Sequence, residues 1–96
     1  MSCYFVAQIN INDKAEYQRY LDGFDAVFDR YAGEVIMVEE NPVVLEGKWP
    51  YSRIVMIRFP NKAEARRWYD SDAYQALVRH RWNAANADII LAEGRE

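Results

Sequence analysis

The stretch CYFVAQINI, Cys3 to Ile11, is rich in β-branched and aromatic residues and predicts a first strand. The period then changes. Asp13 stands three residues before Glu16, the spacing of a capping box. Tyr17, Tyr20, Leu21, Phe24, Val27, Phe28 and Tyr31 recur beyond it at helical spacing, within an arc of roughly 120° on a 3.6-residue wheel. Gly33 is placed to end this helix. EVIMVEE (Glu34–Glu40) predicts a second strand, stopped by Asn41 and Pro42. VVLEG (Val43–Gly47) predicts a short extended piece, and KWPYS a loop. RIVMIRF (Arg53–Phe59) predicts a third strand, closed by Pro60. Asn61 and Glu64 repeat the capping spacing before a short helix, and Ser71 caps its continuation through DAYQALVRHRWNAAN. DIILAEG (Asp88–Gly94) predicts the last strand.

The order β-α-β-(β)-β-α-β matches a ferredoxin-like, split βαβ arrangement with an antiparallel sheet, an α+β fold over residues 1–96 as one domain. An antiparallel sheet with one wet face should alternate apolar and polar residues. These strands do not. Val55, Ile57 and Phe59 oppose Ile54 and Met56; Val35 and Met37 oppose Ile36 and Val38; Ile89 and Leu91 oppose Ile90 and Ala92. Two helices cover one face. The other calls for a partner, and a second copy meets that need most simply. The sequence therefore predicts a homodimer packed sheet to sheet.

Composition narrows the function classes. A net charge of −3 on 96 residues gives no bulk attraction to nucleic acid or to an anionic membrane. No long apolar run suits a membrane span, and the N-terminus lacks the pattern of a signal peptide. Cys3 is the only cysteine, which fits a reducing compartment, so a cytoplasmic location is expected. No G-x-G-x-x-G or P-loop is present. One histidine and one distant cysteine offer no ligand spacing for a metal, and no cofactor is expected.

The run VLEGKWPYSRIVMIRFPNKAEARRWYDSDAYQAL, followed by Arg81, Ala84, Ala85 and a terminal LAEG, resembles the bacterial family called domain of unknown function 1330. The opening YFVAQININDKAEYQRY fits it too. That family is similar to dimeric α+β barrel proteins, so the resemblance implies the fold and a dimer. The wider superfamily includes cofactor-independent monooxygenases, lactone isomerases and dehydratase-like enzymes. Fold does not decide among reactions.

The candidate chemistry concentrates in WYDSDAYQALVRHRW, Trp68 to Trp82. On the helix after Ser71, Ala73, Tyr74, Leu77, Val78, Ala84 and Ala85 form the apolar stripe, and Arg81 lies in its middle. His80 borders the stripe and Arg79 points away, so the three basic residues do not share a target. A guanidinium on a core-facing stripe needs an acceptor. It is either paired structurally, with Glu46 or Asp88 as candidate partners, or snorkelling, or binding the carboxylate or other anion of a ligand. His80 is a candidate acid or base, since its charge changes near neutrality. Glu46 is the second candidate, as Arg81's partner or as an acid/base in a cleft. Tyr74 and Trp68 are read as core rings or as pocket walls beside Arg81, and Ser71 as an N-cap bordering the same site. Gln8 and Arg58 mark a wet cavity or the strand rims. Two functions follow. One is a homodimer whose pocket, between sheet and helices, binds a small anionic or carbonyl metabolite, with the superfamily's cofactor-independent chemistry as its reaction. The other is a non-catalytic binding or regulatory homodimer with no small-molecule site.

Overall fold

The computed structural model describes residues 1–96. Strands β1 (Cys3–Ile11), β2 (Glu34–Glu39), β3 (Arg53–Phe59) and β4 (Ala85–Glu93) pair antiparallel in the order β2-β3-β1-β4. Helix α1 (Lys14–Phe28) joins β1 to β2, and α2 (Lys62–Tyr69) with α3 (Asp72–Ala84) joins β3 to β4. This is the α+β, ferredoxin-like architecture that the patterning predicts.

Three local caps start the helices where the sequence places them. Asp13 accepts the Glu16 amide at 3.1 Å, Asn61 the Glu64 amide at 2.8 Å, and Ser71 the Tyr74 amide at 3.1 Å. The helix ends differ from expectation. α1 stops at Phe28, not at Gly33, and residues 29–33 form a turn that returns to β2. Gly33 matters for space instead: a Cβ there would fall 2.6 Å from the Phe59 ring and 2.7 Å from the Phe28 ring. α3 ends at Ala84, and Ala85 is already extended (φ −157°, ψ 155°), so β4 begins three residues before the predicted Asp88. The free Ala84 carbonyl accepts the Asn12 and Asp13 amides at 2.7 and 3.0 Å, which fixes the end of α3 against the start of α1. Val43–Gly47 forms no strand; it lies in the loop between β2 and β3, with Gly47 at φ 82°.

Strand phase divides the sheet. Cys3, Phe5, Ala7 and Ile9 of β1 are buried under the helices, and their partners Phe59 and Ile57 on β3 are buried with them. Trp68 of α2 is fully buried at the centre of this core. The rings of Tyr74, Phe5, Phe59 and Phe28 lie 4.3, 5.1, 5.4 and 5.6 Å from it, centroid to centroid. The opposite face carries a row that crosses all four strands, Met37–Met56–Val6–Ile90, each residue paired directly with the next. No helix covers that row, and Ile90 is 61 % exposed.

Candidate functional site

Between α1 and the helix-side face of the sheet lies a cavity of about 290 Å³. Tyr17, Tyr20 and Phe24 form its helical wall, a consequence of their three- and four-residue spacing on α1. Val55 and Ile57 form its floor, since both occupy the core phase of β3. Two guanidiniums, of Arg53 and Arg81, and one carboxylate, of the exposed Asp25, also line it.

Arg81 reaches the cavity from α3 and is only 4 % exposed. Its guanidinium carbon lies 5.7 Å from the centre of the Tyr20 ring. Its Nη2 is buried and has no hydrogen-bond partner in the chain. Burial works against its charge, but the hydroxyls of Tyr74 and Tyr20 beside it outweigh that effect, and Arg81 remains cationic. Arg53 repeats the arrangement at the start of β3. It packs 5.7 Å from the centre of the Tyr17 ring, pairs through Nη1 with Glu40 at 3.4 Å, and leaves a buried Nε without a partner.

The Tyr20 and Tyr74 hydroxyls are 2.7 Å apart, one hydrogen bond in the interior. Burial raises both hydroxyls above the ordinary tyrosine value, Tyr20 well above it, and the Arg81 charge only partly opposes the rise. Burial does the same to Tyr17, opposed by Arg53 and Arg81. The site therefore presents neutral phenols next to fixed cations.

The residues singled out in the sequence divide into two groups. Arg81, Tyr74, Trp68 and Ser71 come together. The Tyr74 ring packs against Trp68 at a tilt of 49°, behind Tyr20, and both are fully buried. The Ser71 hydroxyl donates to the Trp68 carbonyl at 2.8 Å while accepting the Tyr74 amide, so it holds the two rings in register across the α2–α3 junction. His80 and Glu46 lie elsewhere. His80 Nδ1 is 2.7 Å from Glu16 Oε2, part-exposed on the outside of α1 and α3, and does not line the cavity. Glu46 is exposed in the loop between β2 and β3. Neither expected partner pairs with Arg81: Glu46 stays in its loop, and Asp88 accepts the Tyr51 hydroxyl at 2.6 Å. Gln8 is part-buried on the outer sheet face and Arg58 is an exposed rim residue beside Glu34. Nowhere do three His, Cys, Asp or Glu side chains converge as metal ligands.

Two site residues escape a reading centred on Trp68 to Trp82. Arg53 is in phase with Val55, Ile57 and Phe59, so a period of two already sends it to the core face; that is the same anomaly as Arg81. Tyr20 carries no such mark, because a tyrosine on an apolar stripe is ordinary.

The chain belongs to the family described as domain of unknown function (DUF1330), whose model matches residues 2–95. Among solved structures it is similar to RPA0582, a protein of unknown function from Rhodopseudomonas palustris, with a TM-score of 0.84 at 16% identity, over 99% of this chain and 83% of that one. It is similar to SnoaB, a cofactor-independent oxygenase from Streptomyces nogalater, with a TM-score of 0.72 at 14% identity, over 99% of this chain and 94% of the other. It is also similar to a dimeric protein of unknown function with a ferredoxin-like fold from Bacteroides fragilis, with a TM-score of 0.70 at 10% identity, over 97% and 96% of the two chains. At these identities the likeness establishes the fold. No curated protein matches the sequence.

Proposed function

We propose that this protein binds a small metabolite bearing an anionic or carbonyl oxygen in the cavity under α1, with Arg81 holding that oxygen, and that it works in the cytoplasm as a homodimer joined through the outer sheet face. One observation carries the reading: a guanidinium 4 % exposed, with a buried Nη2 that has no acceptor in the chain. A buried charge without a counter-charge is strongly unfavourable, and a bound anion would relieve it. Arg53 adds a second cation to the lining of the same cavity. Tyr74 and Trp68 back the site, and Ser71 positions them. His80 and Glu46 stay outside this assignment because neither lines the cavity.

The fold is shared with a cofactor-independent oxygenase, and the cavity suits that class of chemistry or an isomerase or lactone reaction. Such reactions pass through a substrate oxyanion, which fixed cations and neutral hydroxyls stabilise without reorganising. A second reading is a non-catalytic homodimeric module. It is favoured by the loop residues Val43 and Leu45, which are 85 % and 90 % exposed, as a surface awaiting a partner would be.

The deciding experiment is a thermal-shift screen of benzoate, inorganic phosphate and simple lactones on wild type and Arg81→Met in parallel. A ligand at a hundred times its dissociation constant adds about 2.7 kcal/mol of stability. Stabilisation of wild type that is lost in Arg81→Met is the expected result. No stabilisation by any compound, with a destabilised Arg81→Met, would favour the second reading.

A further inference from the structure

We propose that the cavity takes a phenol or enol in its ionised form, with the oxyanion held jointly by Arg81 and the Tyr20 hydroxyl. The inference rests on the cavity being a ligand site and names the class of ligand.

The argument starts from the two tyrosine hydroxyls. They share one hydrogen bond of 2.7 Å and carry two protons. One proton lies between them; the other belongs to whichever hydroxyl is accepting. Were Tyr20 the donor, the remaining proton would sit on Tyr74, which is fully buried beside the Arg81 cation and has no other acceptor. With Tyr74 as donor, the remaining proton sits on Tyr20, which lines the cavity. The second arrangement avoids a sealed, unsatisfied donor. A hydroxyl whose oxygen accepts one hydrogen bond is also the stronger donor in the next, so Tyr74 strengthens Tyr20.

At its Arg81 end the site thus offers one neutral O–H, of Tyr20, beside one guanidinium, a pair suited to a single oxyanion. The walls select further. They are mostly aromatic and aliphatic, which penalises a compact, strongly hydrated anion such as phosphate more than a charge delocalised over a ring. An engineered apolar cavity of about 150 Å³ accepts benzene. A cavity of about 290 Å³ therefore has room for a one- or two-ring body. The titratable and charged groups facing such a ligand are Arg81, Arg53, Tyr17, Tyr20 and, at the rim, Asp25. The proton lost by the ligand goes to solvent, and no oxidant or cofactor takes part in the binding step.

The test uses 4-nitrophenol, whose ionised form absorbs visible light, titrated with and without excess protein. The expected result is a fall of about one pH unit in the apparent pKa of the bound probe, which corresponds to tenfold preference for the ionised form. Tyr20→Phe and Tyr74→Phe keep the rings and should each reduce the shift while the probe still binds; Arg81→Met should abolish it. Circular dichroism confirms that each variant is folded. A probe that binds with an unchanged titration, or a full shift in both tyrosine variants, overturns the assignment. If benzoate stabilises the protein and the phenol does not bind, the cavity remains a ligand site and the phenol class falls. If neither binds, both fall.

Discussion

At the scale of single residues, the two arginines show what a sequence can and cannot announce. Arg81 interrupts a helical stripe of apolar residues, and the interruption is visible without coordinates. Arg53 interrupts a strand in the same sense, but at a strand end, where a charge is easily taken for a rim residue. The Tyr20–Tyr74 contact joins positions 54 apart, and no local pattern encodes it. Its consequence is measurable. Burial keeps both hydroxyls protonated beyond the ordinary 10.0, whereas the unfolded chain releases these protons near that pH. Above about pH 10 the unfolded state therefore binds fewer protons, and stability falls as pH rises toward the folded values. Urea titrations between pH 8 and pH 11, a range set about the ordinary tyrosine value, should show this decline, with a shallower slope in Tyr20→Phe. An equal slope in the variant would exclude Tyr20 as a source. Trp68 belongs to the same scale. With six rings packed around it and no exposure, Trp68→Ala should cost about 3–5 kcal/mol, read from the urea midpoint.

Elements were legible where local chemistry decides them and illegible where packing does. The three N-caps at Asp13, Asn61 and Ser71 are side-chain-to-amide contacts three residues apart, written directly in the sequence. The C-terminal ends are set by distant partners. Ala85 and Asn86 extend an apparently helical run, yet the chain turns extended at Ala85 because β4 pairs with β1 from Ile11↔Ala85 onward. VVLEG has the composition of a strand, but it pairs with no strand of the sheet and remains loop. Ser71 is the cap on which the site depends most, since its hydroxyl serves both the end of α2 and the start of α3. Ser71→Ala should cost about 1 kcal/mol in stability. It should also weaken any ligand that stabilises the wild type, because Trp68 and Tyr74 lose their shared anchor. Ser71→Thr, which keeps the hydroxyl, should restore both; a ligand affinity indifferent to both changes would separate the cap from the site.

For the whole molecule the open question is the outer face of the sheet. Its apolar character could be read from strands that fail to alternate, although a bulge between Val35 and Met37 breaks the expected phase of β2 and leaves Val35 and Val38 together on the cavity side; the structure orders the outer face into one row, Met37–Met56–Val6–Ile90, at the middle of the sheet. Polar partners flank it: Gln8 faces Asp88 on one side, and Arg58 faces Glu34 on the other. A polar rim around an apolar centre is the anatomy of a protein interface. An isologous pair placing two such rows together would bury both in one contact. Val6 is the residue to change, because it lies on a central strand and points away from the helices, opposite the cavity. Val6→Lys should leave the fold intact and put two like charges at the centre of the pair. Light scattering at micromolar concentration should then give twice the chain mass of 11.3 kDa for wild type and the single-chain mass for Val6→Lys. A lysine on the exposed side of α1, Ala26→Lys, should keep the doubled mass. The melting temperature of wild type should rise with protein concentration, and that of Val6→Lys should not, since association stabilises only a chain that associates. A wild type of single-chain mass would remove the homodimer from the proposal and leave the cavity to be judged by its ligands alone.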